Sequence, residues 1–493
     1  MNQRKEESIY LRSKYFWLLA LVLIAIRFLH FQPQLDLPHD WRQADTAFYI
    51  WDFTENGVDL LHPQVSWMGK HGELVLECPI PEAIVAQLQR WLGPSMFLSR
   101  SIFLLFFLFC AYYFYRVVAW LFSTHLAQTA TLIFLALPLS QFYSRAIHID
   151  FFALGFAYAM FYYTLKAVGR SSLPLLLLSS LLAIPAFLVK VPYVFYLALP
   201  ILVYAWQQNK LIWLITRSVI FALPLVLFLL WREHAFVVND AAPDWSYILH
   251  YRKFTDNSAW YFGTWQQRIS LYHWKILSFR MTLEVSGVIG IPLAFAGWWY
   301  RKGDPQMLIL YAWGTGLLVY LLVFFNLNAV HNYYQIPFLG FVAMMAALGI
   351  GAITSLKKTW EYGLLLMLVV CSTIYAEYNY YDRPKELEEI SQLVNSTTIT
   401  SDSPIVVYQD FDCKNPRILA RAERMGWSLE SSAAKAEVIE KLRKEEGATH
   451  LFCVDSKTIM TYKEQFPFAV GQTDTIPLEH LGGYLYRLKL QPK

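Results

Sequence analysis

Charge is what this chain has least of. Only 16% of its 493 residues are Asp, Glu, Lys or Arg, against 56% hydrophobic and 17% aromatic. Soluble globular chains carry nearer a quarter charged residues, so the composition excludes an ordinary soluble protein and points to a membrane-embedded one. The net charge of +4 is small and dispersed, which excludes a basic nucleic-acid-binding surface. There is no internal repeat, no low-complexity tract and no glycine-rich phosphate loop. The five cysteines lack metal-ligand spacing, which argues against a zinc site. Cys110 and Cys371 sit in apolar stretches as packing residues. Cys413 and Cys453 share a polar C-terminal region, where they could form a disulfide if that region is exported or stay two thiols.

Apolar runs long enough for roughly 30 Å of hydrocarbon recur along the chain. They fall near 15–31, 96–121, 126–143, 151–165, 173–189, 193–205, 211–231, 283–299, 307–325, 334–353 and 362–375. The pattern predicts an α-helical polytopic membrane protein with about eleven transmembrane helices. The first run lacks a small-residue cleavage site and is followed by His30, so it reads as a span rather than a signal peptide.

Lys and Arg set the orientation. Arg4, Lys5, Arg12 and Lys14, then Arg116, Lys166 and Arg170, Lys210, Arg301 and Lys302, and Lys357 and Lys358 occupy alternate connections. With the amino terminus cytoplasmic, all are inside and the carboxyl terminus is outside. The expected domains are 1–380, transmembrane with an outer loop 32–95, and 381–493, a small extracytoplasmic α/β domain. In that second part, 405–408, 450–454 and 484–488 read as strands and 434–446 as an amphipathic helix.

In the outer loop, Trp41, Ala44, Phe48 and Trp51 repeat at helical spacing opposite Arg42, Asp45, Tyr49 and Asp52, which predicts an interfacial helix. A second starts at Pro81, with Ile84, Val85, Leu88, Trp91 and Leu92 on one face.

The orientation gathers several polar residues on the outer face. Asp40 opens the first loop helix, and Asp150 opens a span after Arg145 and His148. Acidic groups at a bilayer boundary are costly unless solvated or paired, so two on one side suggest a site. Each has a plainer explanation: Asp40 with Gln43 fits a helix cap and capping box, and Asp150 fits compensation of a helix dipole. Asp45 reads as a surface ion pair with Arg42. Lys190 lies in a very short outer link, where a lysine commonly snorkels to the interface. Glu77 has apolar neighbours. His331, with Tyr333 and Tyr334, opens a helix where a phosphate could bind or an aromatic belt could form. Trp245, Tyr247, Tyr251, Trp260, Tyr261 and Trp265 crowd an outer loop beside Arg252, Lys253 and Arg268, and read mainly as belt residues. Transfer of a sugar from a polyprenyl phosphate would use these parts together: a base for the acceptor hydroxyl and cations for the departing phosphate.

These segments resemble a family. The order of loops and spans is similar to the GT-C glycosyltransferases, in the branch of protein O-mannosyltransferases and lipid A aminoarabinose transferase. The segment His39-Asp40-Trp41-Arg42-Gln43-Ala44-Asp45 stands where that branch has its acidic loop motif, reduced here to Asp40, and Asp150 stands at its second acidic position. Glu77-Cys78-Pro79-Ile80 resembles a glutamate followed by Lys-Pro-Pro, with Cys78 in place of the lysine and Lys190 or Arg42 left to supply that charge. His331-Asn332-Tyr333-Tyr334 and Arg421-Ala422-Glu423-Arg424-Met425-Gly426-Trp427 resemble further segments of bacterial members.

The resemblance implies a GT-C fold and inverting transfer from a polyprenyl-phosphate sugar to a glycan, lipid or protein of the cell envelope, at the outer face of the cytoplasmic membrane. Asp40 would be the base and Asp150 its assistant. Arg42, Asp45, Glu77, Lys190, His331, Tyr333 and Tyr334 would contact donor or phosphate. No metal ligand set and no cofactor is implied, although the carboxylates could hold a divalent cation. Two other readings remain open. A flippase or transporter for lipid-linked glycans would place ionisable groups at mid-membrane, often with inverted repeats. A non-catalytic assembly factor would tolerate the incomplete acidic pair.

Overall fold

A computed structural model describes residues 2–69, 72–241, 258–354, 360–383, 385–397, 405–408, 416–429, 435–454, 456–467, 470–480 and 482–491. Trp245, Tyr247, Tyr251, Arg252, Lys253, Lys357, Lys358 and Cys413 lie outside them. The chain packs as two units. One comprises Met1–Gln32, Met96–Glu233 and Phe254–Tyr381, the other Pro33–Ser95, His234–Lys253 and Asp382–Lys493.

The first unit is helical, and each of the eleven expected spans overlaps helix. Among the described residues, Met96–Leu121, Asp150–Arg170, Leu173–Lys190, Ser218–Asp240 and Trp360–Asn379 are long and apolar enough to cross a membrane. Tyr15–His30, Pro192–Gln207, Met307–Val323 and Phe338–Thr354 are shorter apolar helices. Large apolar side chains such as Leu105, Leu181, Leu230 and Leu366 remain exposed, which suits a surface that lipid covers.

Five expected spans differ from continuous helices, two of them simply: the 193–205 run divides into Pro192–Phe195 and Ala198–Gln207, and the 334–353 run into a 3₁₀ turn at Asn332–Gln335 and Phe338–Thr354. The 126–143 run is broken between Thr124–Ala136 and Pro138–Tyr143, because Pro138 lacks the N–H to continue the ladder and starts a new helix instead. The 211–231 run is divided among Leu211–Ile215, a 3₁₀ turn at Ser218–Phe221 and Ala222–Asp240. The 283–299 run is a sharp corner: Leu271–Val285 and Gly290–Arg301 meet at 87°. Gly287 has φ +57° at that corner, and a Cβ there would lie 2.2 Å from Ser372 Oγ, so only glycine fits the approach.

The second unit is built on a five-stranded sheet: β1 (Ile405–Tyr408), β2 (Gly426–Leu429), β3 (His450–Cys453), β4 (Val470–Pro477) and β5 (Tyr484–Leu490), in the order β2-β1-β3-β5-β4. β1 runs parallel to β2 and β3, while β5 is antiparallel to β3 and β4. β1, β3 and β5 and the helix Ala436–Glu445 match expectation, whereas β2 and β4 were not anticipated. Gly426 permits the tight β1–β2 approach, since a Cβ there would sit 1.9 Å from the Ile405 carbonyl oxygen.

Both faces of this sheet are buried. Val406, Leu451, Cys453 and Leu488 pack with Ile439, Leu442 and Tyr462 on one side. On the other, Ile405, Val407, Phe452 and Leu485 share a core with Ile390, Val394, Ile418 and Leu419, and with Tyr49, Val65, Trp67, Met68 and Leu74 of the first long loop. That loop therefore belongs to the same hydrophobic core as the C-terminal segment rather than to the helical unit. Its helix Asp40–Asn56 is buried on both sides: Ala44 and Phe48 on the apolar side, Asp45, Tyr49 and Asp52 on the polar one. In the next helix, Ile80–Leu92, Val85 is buried while Ile84, Trp91 and Leu92 stay exposed.

Candidate functional site

The expected site residues fall into two groups, one in each unit. In the helical unit, Asp150 is the first residue of its helix and is wholly buried. Lys190, the last residue of Leu173–Lys190, places Nζ 2.7 Å from Asp150 Oδ1. The Tyr193 hydroxyl donates to the same oxygen, and His148 Nδ1 lies 2.6 Å from Oδ2. Lys190 is only 5% exposed, so it does not snorkel to the surface as the sequence suggested. Its ammonium instead lies over the Tyr334 and Tyr333 rings, 4.3 and 4.8 Å from their centroids. An ion pair this dry persists only with several hydrogen bonds and π-faces around it.

Tyr333 connects this pair to the rest of the segment: its carbonyl accepts from Tyr193 at 3.1 Å, and His331 stacks on its ring at 5.0 Å. Burial, then the nearby Lys190 and Arg280 cations, push His331 down to about 3, so the imidazole is neutral at ordinary pH. Asn332 accepts from Tyr143 at 2.5 Å and donates to Glu284 Oε2 at 2.6 Å. Tyr380 donates to the same Glu284 oxygen at 3.0 Å. Arg280 caps the short helix Phe325–Val330 through the carbonyls of Asn328, Ala329 and Val330. The link before Asp150 is fixed by arginines: Arg27 donates to Ser144 at 2.7 Å, and Arg100 to the Arg145 carbonyl at 3.2 Å. Arg145 lies over the Tyr381 ring at 4.5 Å.

In the second unit the Asp40 helix has no capping box. Its N-cap is His39, in the left-handed region at φ 59°, with no side-chain cap bond, and Gln43 donates to the Asp36 carbonyl at 2.7 Å. Asp40 Oδ2 instead accepts from Arg417 Nη1 at 2.8 Å. The expected Arg42–Asp45 surface pair is also replaced. Arg42 donates to Glu77 Oε2 at 2.9 Å, and Asp45 accepts from the Trp67 indole at 2.9 Å. The reason is burial, which draws each group to a fixed partner instead of a solvated neighbour.

Three carboxylates, Asp45, Glu77 and Glu82, act electrostatically on the single Arg42 guanidinium. Burial opposes its charge, but those carboxylates raise Arg42 above its ordinary value. Burial pushes Asp45 up to about 7, with Arg42 and the Trp67 hydrogen bond opposing and Glu77 adding to the shift. Glu82 is likewise pushed up to about 7, mainly by burial.

Among the described residues no three His, Cys, Asp or Glu side chains are grouped to hold a metal ion. At Asp150, the cation Lys190 and the Tyr193 hydroxyl take Oδ1, and His148 Nδ1 lies 2.6 Å from Oδ2.

Sequence reasoning missed Tyr193, Glu284, Arg280, Asn332, Glu82 and Arg417 as site residues. Glu284 was legible in principle, because a carboxylate inside an apolar run marks a functional position by default. Arg417 carries no local signal, for its partner is 377 positions away.

No protein-family model matches the sequence, and no curated protein sequence matches it. Solved structures do match in fold. The chain has the GT-C fold: it is a polytopic helical membrane protein with a small mixed-sheet domain. Among its structural neighbours is ArnT from Cupriavidus metallidurans, solved bound to undecaprenyl phosphate, with a TM-score of 0.64 and 12% identity over 96% of this chain and 98% of that one. The Archaeoglobus fulgidus oligosaccharyltransferase, in complex with zinc and sulfate, matches with a TM-score of 0.56 and 11% identity over 96% of this chain and 72% of that one.

Proposed function

We propose that the protein transfers a sugar from a polyprenyl-phosphate donor to a glycan, lipid or protein of the cell envelope, at the outer face of the cytoplasmic membrane. The observation that carries this reading is the end-to-end likeness to ArnT bound to undecaprenyl phosphate. The site residues are those that the sequence resemblance implies, and each polar group carries part of the chemistry that the reaction needs. Asp40 takes the proton of the acceptor hydroxyl as its oxygen bonds to the anomeric carbon. The anomeric carbon–phosphate oxygen bond breaks on the opposite face, which inverts the centre, and the polyprenyl phosphate leaves with the electron pair. Lys190, Arg42 and the neutral His331 contribute charge and a hydrogen-bond donor for that phosphate, while Tyr333 and Tyr334 offer aromatic faces to the donor. Asp150 acts through Lys190 and Tyr193, holding them in place, and Glu77 does the same for Arg42, with Asp45 acting on Arg42 only through its charge.

The test supplies a panel of radiolabelled polyprenyl-phosphate sugars to membranes carrying wild type, Asp40→Asn or Asp150→Asn. Transfer by wild type with at least a 100-fold loss in Asp40→Asn is the expected result, the scale of a removed general base. No transfer from any donor, or undiminished transfer in both variants at normal expression, overturns the reading. Lipid translocation without transfer favours a flippase.

A further inference from the structure

We propose that Arg417 is a positioning residue for the transfer, holding the Asp40 carboxylate in its working orientation; this rests on the reading of Asp40 as base. The contact is built from both sides. Arg417 Nη1 reaches Asp40 Oδ2 at 2.8 Å, and Nη2 donates to the Leu35 carbonyl at 2.7 Å. One guanidinium thus bridges the carboxylate and the backbone that leads into its helix. The two side chains are 5% and 9% exposed, so solvent competes little for either.

The arginine is itself anchored. It is the first residue of the helix Arg417–Arg421, whose Ile418 and Leu419 are in the core behind the sheet. At the other end of that helix Arg421 makes a two-point contact with Glu388, at 2.7 and 3.2 Å. The guanidinium is therefore fixed independently of Asp40.

This arrangement suits the proposed step. A base must lie within about 2.6–3.2 Å of the proton it accepts. With one oxygen held by a planar, charged fork, the carboxylate plane is set before the acceptor arrives. Lysine cannot reproduce both of the fork's contacts, since it offers a point charge on a flexible stem. The C-terminal segment then contributes to the chemistry as well as to the fold.

The test measures kcat and donor KM separately for purified wild type, Asp40→Asn, Arg417→Gln, Arg417→Lys and the double variant Asp40→Asn/Arg417→Gln, using whichever radiolabelled polyprenyl-phosphate sugar the wild type transfers. Arg417→Gln is expected to lower kcat about 100-fold, the effect of a misplaced catalytic group, with KM within about threefold. Arg417→Lys should recover part of that loss, and the double variant should be no slower than Asp40→Asn. Arg417→Gln at or above the wild-type rate, with Asp40→Asn inactive, overturns the inference and leaves the reading standing. Asp40→Asn at the wild-type rate overturns both. If Arg417→Gln does not purify folded, Arg417→Lys decides: a folded variant with lowered kcat and unchanged KM supports the proposal. Unchanged kcat, or lowered thermal stability alone, overturns it.

Discussion

Asp150 and Asp40 begin as equals in the sequence, each the first residue of a helix with a cation somewhere nearby. In the fold they are held in different ways. Asp150 draws all three of its partners, Lys190, Tyr193 and His148, from within 43 positions. Asp40 draws its cation from a helix 377 positions away. The first is a locally assembled pair, sealed by the short turns between consecutive apolar helices. The second exists only when two distant segments have met in one core. Burial of a carboxylate thus tells little about its role until the origin of its partner is known.

The largest effect that could break this contrast is expected at Asp150. Asp150→Asn leaves the Lys190 ammonium dry without its counter-charge and should destabilise the protein by about 3–5 kcal/mol. Asp40→Asn should cost less, roughly 1–3 kcal/mol, and thermal melts of the two variants in the same detergent compare them. Equal losses would mean the two carboxylates are structurally equivalent after all.

Next comes the sheet that brings Arg417 into place. Gly426→Ala forces a methyl into the Ile405 carbonyl and should cost about 1–3 kcal/mol. Faster limited proteolysis of the C-terminal segment is the readout, with the helical unit unaffected.

A smaller effect should appear with pH. Carboxyls titrate near 4 in an unfolded chain, whereas native Asp45 and Glu82 keep their protons up to about 7. Between those values these two carboxyls bind more protons in the native state, so their contribution to stability falls as pH rises from about 4 to about 7 and is level above that. His331, pushed down to about 3 from near 6.5, opposes them over most of the same window. Glu440, held down to about 2 by Arg443, works in the opposite sense only at lower pH. Asp45→Asn should flatten the slope in proteolysis rates measured across this window. The smallest effect belongs to the exposed pair Lys441–Glu445, where Lys441→Ala should change stability by less than about 0.5 kcal/mol.

The apolar spans and three of the five strands were legible because burial leaves a periodic mark on composition. Lys190 was visible as a lysine in a short link, and only the fold showed that it closes on Asp150. The corner at Gly287 was hidden, since a glycine in an apolar run looks the same whether the helix continues or turns. β2 escaped because its four residues include a glycine chosen for closeness rather than strand preference. The greatest gap was the partnership of 33–95 with 382–493, which no local pattern encodes: Trp67 and Leu74 look like loop residues until the sheet they cover is known.

That shared core has a consequence for how the protein is made. Tyr49, Val65, Trp67, Met68 and Leu74 leave the ribosome roughly 300 residues before Leu387 and Ile390, the first of their partners. At about 5–20 residues per second the wait is roughly 15–60 s. Throughout it, half of a hydrophobic core stands without its other half while span after span is inserted. Assembly of this unit waits on residues 387–485, and its first half needs shelter until they arrive.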